Sequence, residues 1–142
     1  MIFLQLRIRM SMKKKRLLLP NRARQIPLHW SWIDHRLVAD RHLQRCSSDA
    51  WTLYLFLLSV GDSHGLSYYS LASIAARLGW DEGRVMSARR ELVRGDFVAY
   101  EKPFYQVLEL PSPESPIRSE GRRVDLGTVL REALNKIHTD QP

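Results

Sequence analysis

The sequence predicts one mainly α-helical domain with a small β-hairpin, and three observations support this fold class. Residues 71–94 carry apolar positions at helical spacing on both sides of a short break. Two runs rich in aromatic and β-branched residues follow it around a short polar turn, as the strands of a hairpin do. A chain of 142 residues with 44% apolar content is sufficient for one compact core.

The first helix of this pair is predicted to begin after Ser70 and to end at Gly79. The Ser70 hydroxyl can accept a backbone N–H bond as an N-cap. Gly79 supplies the positive φ that a helix C-terminus favours. The apolar face between them consists of Leu71, Ile74, Ala75 and Leu78.

The second helix is predicted to start at Asp81, so the turn between the helices has only about three residues. Asp81 can cap the helix, and Glu82 in its first turn complements the helix dipole. At about 100° per residue, Val85, Ala88 and Leu92 share one side. The opposite side consists of Gly83, Ser87, Arg90 and Arg94. A small residue, a hydroxyl and two guanidinium groups can approach guanine edges or phosphates, so this side is the candidate reading surface.

A hairpin is predicted after Gly95, which ends the second helix. Its strands are residues 97–100 and 104–108, and Lys102 is the one cation in the turn between them. We expect residues 66–69 to add a short third strand.

The pattern of residues 49–60 predicts a further helix. Because this helix is apolar on nearly every side, we expect it at the centre of the fold. Ser47 or Ser48 can cap it. Its main stripe is predicted to be Trp51, Tyr54, Leu55 and Leu58. Residues 35–45 read as a short helix that braces the central one, with Leu37, Val38 and Leu43 directed inward.

This order of elements resembles the winged helix-turn-helix family over residues 48–110. The spacing of Ala75, Gly79 and Val85 carries the resemblance, because the small residue fits where two helices cross, the glycine ends the first helix and the valine secures the second. The similarity is to modules of bacterial regulators and of plasmid or mobile-element replication initiators. It implies sequence-specific binding to double-stranded DNA, with the second helix in the major groove and the hairpin near the backbone. An ordinary two-helix hairpin with a solvated arginine face is the alternative.

The net charge of +7 is concentrated at the start of the chain. Residues 1–26 hold eight basic and no acidic side chains, whereas the remaining 116 hold fourteen basic and fifteen acidic ones, a balance of −1. A flexible basic arm supplies affinity for nucleic acid without sequence information, and a solubilising tail is the alternative. The arm residues predicted to contact DNA are Lys13, Lys14, Lys15 and Arg16.

Four segments follow from these patterns. Residues 1–26 form the arm, residues 27–110 the winged helix-turn-helix domain, residues 111–124 a Pro/Ser linker, and residues 125–142 an amphipathic helix and tail. Within the domain, Leu28, Trp30 and Trp32 alternate like one face of a strand, and we expect them in the core rather than stacked on bases. The C-terminal helix either docks on its own domain or forms a homodimer through Leu126, Leu130, Ala133 and Ile137.

Catalytic and metal sites are not expected. The single Cys46 excludes an intrachain disulfide and suits a reducing cytoplasm, and we expect it to be buried. His29, His35 and His42 lack zinc-site spacing, and Asp62 with His64 has no accompanying nucleophile. The protein is therefore expected to be non-enzymatic and to need no cofactor. Its expected location is the cytoplasm, in association with the nucleoid.

Two expectations concern partners. The apolar run at the N-terminus is too short for a secretory signal or a membrane span, and arginines interrupt it, so no membrane partner is expected. The principal rival to DNA binding is a winged-helix adaptor for protein partners without specific DNA binding, and a small nuclease is a third alternative. The contact surface of the adaptor would consist of Tyr68, Tyr69, Tyr100, Tyr105 and the C-terminal helix.

Overall fold

A computed structural model of the chain describes residues 14–118 and 130–131. The chain divides into two units, residues 1–30 and 31–142. In the first unit, the described residues 14–30 are all exposed and contain one short 3-10 turn, Pro20–Arg22. The elements of the second unit are described below by themselves.

Helices dominate the second unit, and a small antiparallel sheet completes it. Its α-helices within the described residues 31–118 are α1 (Arg36–Ala39), α2 (Ser48–Val60), α3 (Leu71–Leu78) and α4 (Glu82–Arg94). The strands are β1 (Leu66–Tyr68), β2 (Val98–Glu101) and β3 (Phe104–Val107). Among the described residues, this mixed architecture of helices and one short sheet confirms the helix-rich part of the prediction.

The sheet has the order β1-β3-β2, with β3 in the middle and antiparallel to both neighbours. Tyr68 is opposite Phe104 across β1 and β3, and Tyr100 is opposite Tyr105 across β2 and β3. Because side chains alternate along a strand, Tyr68 and Tyr105 lie on opposite faces. The face with Tyr105 is buried, and the face with Tyr68 is exposed.

The core lies between α2, α3, α4 and the inner face of the sheet. Ser47 caps α2 by accepting a hydrogen bond from the Ala50 backbone N–H at 3.2 Å. The buried apolar side chains are Leu37, Ala50, Leu53, Tyr54, Leu57, Ile74, Ala75, Val85, Ala88, Leu92, Phe97, Val98 and Tyr105.

The predicted main stripe of the central helix is wrong by about one residue. The most buried positions of α2 are Ala50, Leu53, Tyr54 and Leu57, whereas Leu55 is exposed. On a helix that is apolar all round, periodicity gives no unique inward direction, so only the packing partners decide which side faces the core.

The predicted short helix at residues 35–45 is broken in the structure. Arg41 adopts a left-handed backbone with φ of 57°, so α1 ends at Ala39 and a separate 3-10 turn covers His42–Arg45. The break rotates the second half, which exposes Leu43 and buries His42 instead. The His42 ring contacts Phe97 edge-on with 5.4 Å between ring centroids. Val38 is also exposed, so of the three predicted inward residues only Leu37 is buried.

Core burial of the early tryptophans was expected, and the structure contradicts it. Trp32 in the second unit is 72% exposed, and Leu28 and Trp30 in the first unit are also exposed. No strand forms over the described residues around them, since residues 23–34 belong to no helix or strand. Alternation alone predicted burial, but a strand needs a hydrogen-bonded neighbour that these residues do not have.

Candidate nucleic-acid interface

The turn between α3 and α4 has the local structure that the sequence predicts. The Ser70 hydroxyl accepts a hydrogen bond from the Ser73 N–H at 3.1 Å. Gly79 ends α3 in the left-handed region with φ of 68°, where a side chain would be strained. The Asp81 carboxylate caps α4 by accepting from the Arg84 N–H at 2.8 Å. The two caps and the glycine thus fix where α3 begins and ends and where α4 begins.

The two sides of α4 differ as the helical spacing predicts. Val85, Ala88 and Leu92 are buried in the core cluster. On the opposite side Gly83, Ser87 and Arg90 are exposed, and Arg94 is half-buried. The exposed side of the helix therefore carries a small residue, a hydroxyl residue and an arginine along one line.

The C-terminal end of α4 contacts a later part of the chain. The Arg118 backbone N–H donates to the Arg94 carbonyl at 3.0 Å, and the Arg118 guanidinium pairs with Asp96 at 3.4 Å. The Arg45 guanidinium also donates to the Ser115 carbonyl. These contacts place residues 115–118 beside the end of α4, within the segment that was predicted to be a linker.

The end of α4 needs glycine at residue 95 for a steric reason. Gly95 itself keeps a right-handed backbone, and Asp96 takes the left-handed conformation with φ of 59°. A side chain at Gly95 would start with its Cβ 2.7 Å from the Phe97 ring. Close approach of the core ring therefore fixes this glycine.

The remaining predicted contact residues that the structure describes are exposed. Lys102 is exposed in the turn between β2 and β3, next to the exposed Glu101. Lys14, Lys15 and Arg16 are exposed in the first unit, and Lys13 lies outside the described residues.

Arg84 makes a contact that the sequence did not predict. Its guanidinium forms two hydrogen bonds with the Asp49 carboxylate, at 2.8 and 2.9 Å, and lies 4.4 Å from the centre of the Trp80 ring. This pairing holds the pKa of Asp49 below its ordinary value. Asp49 precedes Arg84 by thirty-five residues, so no local spacing could reveal a link that joins the first turns of α2 and α4.

Arg89 connects α4 to the hairpin and was also not predicted. Its guanidinium donates to the Tyr105 hydroxyl at 3.1 Å and lies 4.0 Å from the centre of the Tyr100 ring. The two tyrosine rings are 4.6 Å apart, and burial raises the pKa of Tyr105. Arg89 follows the buried Val85 by four residues and precedes the buried Leu92 by three, so helical spacing places it at the border of the apolar side and was a usable signal.

Glu91 links α4 to the start of α2. Its carboxylate accepts hydrogen bonds from the Ser47 backbone N–H at 2.9 Å and from the Ser47 hydroxyl at 2.5 Å. Cys46 beside it is half-buried rather than fully buried, and its thiol lies 3.8 Å from the Glu91 carbonyl oxygen. Burial, assisted by the charge of Glu91, raises the pKa of Cys46 to about 11, so the thiol stays protonated near neutral pH.

The four tyrosines that were expected to form an adaptor surface do not share one. Tyr68 is 71% exposed on the outer face of the sheet, while Tyr105 is buried on the inner face. Tyr69 and Tyr100 are half-buried. The exposed apolar residues of the outer face are instead Leu66, Tyr68 and Phe104.

Asp62 and His64 lie in the loop that precedes β1. One Asp62 carboxylate oxygen accepts from the His64 and Leu66 backbone N–H groups, at 2.8 and 2.9 Å. These bonds lower the pKa of Asp62. Within residues 14–118 and 130–131, no group of three or more His, Cys, Asp or Glu side chains could hold a metal ion. No helix in the same part of the chain has the length and apolarity needed to cross a membrane.

Comparison with known proteins finds no matching family model, no matching curated protein and no matching solved structure.

Proposed function

We propose that the protein is a winged helix-turn-helix protein that binds double-stranded DNA in a sequence-specific manner, with α4 as the recognition helix. The observation that carries the proposal is the outward side of α4. Gly83, Ser87 and Arg90 are exposed there, directly opposite a fully buried stripe. A helix needs one polar, sterically open side to enter a major groove.

Three side-chain contacts that connect α4 to other elements support the same function. Arg84 ties its first turn to α2, Arg89 ties its middle to the hairpin, and Glu91 ties its third turn to Ser47. Recognition of base edges requires a helix whose orientation is fixed before binding, because misplacement weakens directional hydrogen bonds. These three contacts come from Arg84, Arg89 and Glu91, which are not among the residues of the outward side.

The hairpin and the basic arm have different roles in this proposal. Lys102 gives the hairpin one cation, and the neighbouring Glu101 offsets it, so the wing adds little phosphate contact. Lys14, Lys15 and Arg16, with Lys13 before them, supply the affinity that does not depend on sequence. The biological setting we propose is transcription regulation or replication of a bacterial mobile element, in association with the nucleoid.

Selection from a random duplex library at physiological salt tests the proposal. The full chain should enrich one short motif and bind it with a Kd lower than that for random duplex by a factor on the order of 10³ or more. Binding without enrichment would point to contacts through the arm alone.

A protein-binding adaptor is the second candidate, and one observation favours it. Leu66, Tyr68 and Phe104 form an exposed apolar patch on the outer face of the sheet, and the Tyr68 and Phe104 rings meet edge-on at 6.2 Å. An adaptor predicts loss of partner binding in Tyr68→Ser. DNA recognition by α4 predicts that this variant keeps its sequence preference.

A further inference from the structure

A solvent-exposed segment before α1 combines positive charge with bare aromatic rings. All described residues from 14 to 33 are exposed. They include five cations and no acidic residue; the cations are Lys14, Lys15, Arg16, Arg22 and Arg24. Trp30 is 62% exposed and Trp32 is 72% exposed. We call residues 14–33 the aromatic-basic segment.

So many exposed apolar side chains in one short segment are unusual for a protein surface. Isolated exposed apolar side chains are common, but here Ile26, Leu28, Trp30, Trp32 and Ile33 are all at least half exposed within eight residues. An indole ordinarily buries much of its surface in a core or an interface. A run of this density, next to cations, marks a binding segment for a ligand that offers apolar faces and negative charge.

Single-stranded nucleic acid combines those two properties. Its phosphates pair with lysine and arginine, and each unpaired base offers a flat face on which an indole can stack. Duplex DNA pairs and stacks its bases internally, so it leaves these faces covered. An anionic bilayer shares the charge, but surface-bound segments usually insert as an amphipathic helix. Residues 23–34 form no helix, and the polar His29 and Ser31 alternate with the apolar side chains.

We propose that the aromatic-basic segment binds single-stranded DNA or RNA, with Trp30 and Trp32 stacking on unpaired bases and the cations contacting phosphates. This activity is separate from duplex recognition by α4 and does not depend on it. It gives the chain a means to hold a strand that has been opened.

The test measures binding of the full chain to a fluorescently labelled oligodeoxythymidylate of about 20 nucleotides, long enough to exceed a typical single-strand site. The W30A/W32A variant should lose affinity by about 5- to 150-fold for each stacking ring removed. W30F/W32F keeps aromatic faces and should retain most of the affinity. Val38→Ala removes an exposed aliphatic side chain that lies outside the segment and should change the affinity by less than about twofold.

Two further measurements make the result decisive. Circular dichroism should show the same helix content in all variants, since Trp30 and Trp32 lie outside the core. Arg90→Ala should leave oligodeoxythymidylate binding unchanged while it affects duplex preference, so failure of one proposal is distinguishable from failure of the other. Wild-type affinity in W30A/W32A, or an equal loss in Val38→Ala, contradicts stacking. If Trp emission shifts to the blue only with phosphatidylglycerol-containing vesicles, and the oligonucleotide does not bind, the segment binds a membrane surface instead.

Discussion

At the scale of single residues, the stability of the α4 region depends on apolar side chains that reach the core. Leu92 is fully buried in one cluster with Leu53, Leu57 and Phe97. Its neighbour Val93 is more than one-third exposed. The two positions differ by one residue on the same helix, so they form a matched pair for measuring what burial contributes.

Leu92→Ala should lower the free energy of unfolding by about 2–5 kcal/mol, because it removes transfer free energy and leaves a cavity. Urea denaturation followed by circular dichroism measures the change. Val93→Ala is the control and should cost under about 1 kcal/mol, since its side chain loses less burial. Similar costs for the two variants would show that α4 is not oriented as described.

At this scale, sequence spacing was sufficient to predict features that depend only on neighbouring residues. Ser70, Gly79 and Asp81 act as predicted because a cap or a left-handed residue depends on neighbours within four positions. The contacts of Arg84 and Arg89 were missed because their partners are distant in sequence. Trp32 was misassigned to the core, since alternation does not reveal whether a second strand is available.

At the scale of elements, Arg89 holds the hairpin against α4. Its guanidinium is the donor to the Tyr105 hydroxyl and the cation over the Tyr100 ring, so one side chain contacts both strands of the hairpin. The strand order β1-β3-β2 places these strands side by side, and the sequence predicted them as a hairpin. Helical spacing places Arg89 at the border of the apolar side of α4, but it does not identify the partners of Arg89 in the hairpin.

Arg89→Met should lower the free energy of unfolding by about 1–3 kcal/mol, because it removes a charge-assisted hydrogen bond and a cation–π interaction. Amide hydrogen exchange should accelerate most in β2 and β3. Arg36→Met on α1 removes an exposed arginine whose guanidinium pairs with the nearby Asp34, and it serves as the control. Unchanged hairpin exchange in Arg89→Met would contradict this role.

At the scale of the whole molecule, the net positive charge lies at the start of the chain and not in the later residues that contain α4. The first 26 residues carry +8, and the other 116 carry −1. Affinity from charge and selectivity from α4 should therefore be separable by truncation. The C-terminal stripe predicted for residues 125–142 lies outside the described residues except for Leu130, which is helical and exposed.

Deletion of residues 1–24 should weaken binding to specific and random duplexes by similar factors. The plot of log K against log salt should flatten by up to about 0.9 for each phosphate that the shortened chain no longer neutralises. Fluorescence anisotropy across a salt series provides both quantities. If truncation abolishes discrimination between sequences, the arm reads the DNA directly and this division of roles is wrong.

The oligomeric state provides a second prediction at this scale. One recognition helix covers only a few base pairs, so we expect a two-fold dimer through Leu126, Leu130, Ala133 and Ile137. Light scattering should give a dimeric mass for the full chain and a monomeric mass for a chain ending at Leu110. A monomeric full chain at micromolar concentration rejects the dimer, and a dimer that survives truncation moves the interface elsewhere.

The most direct test of the central claim compares duplex preference in Arg90→Ala and Arg36→Ala. Affinities for the selected duplex and for a random duplex are measured at physiological salt, with the full chain as reference. Arg90→Ala should lose about 1–3 kcal/mol of affinity for the selected duplex and much less for the random one, because base contacts carry the sequence information. Arg36→Ala should match the wild type. If the wild type shows no preference, or if Arg90→Ala keeps the full preference, α4 is not a recognition helix.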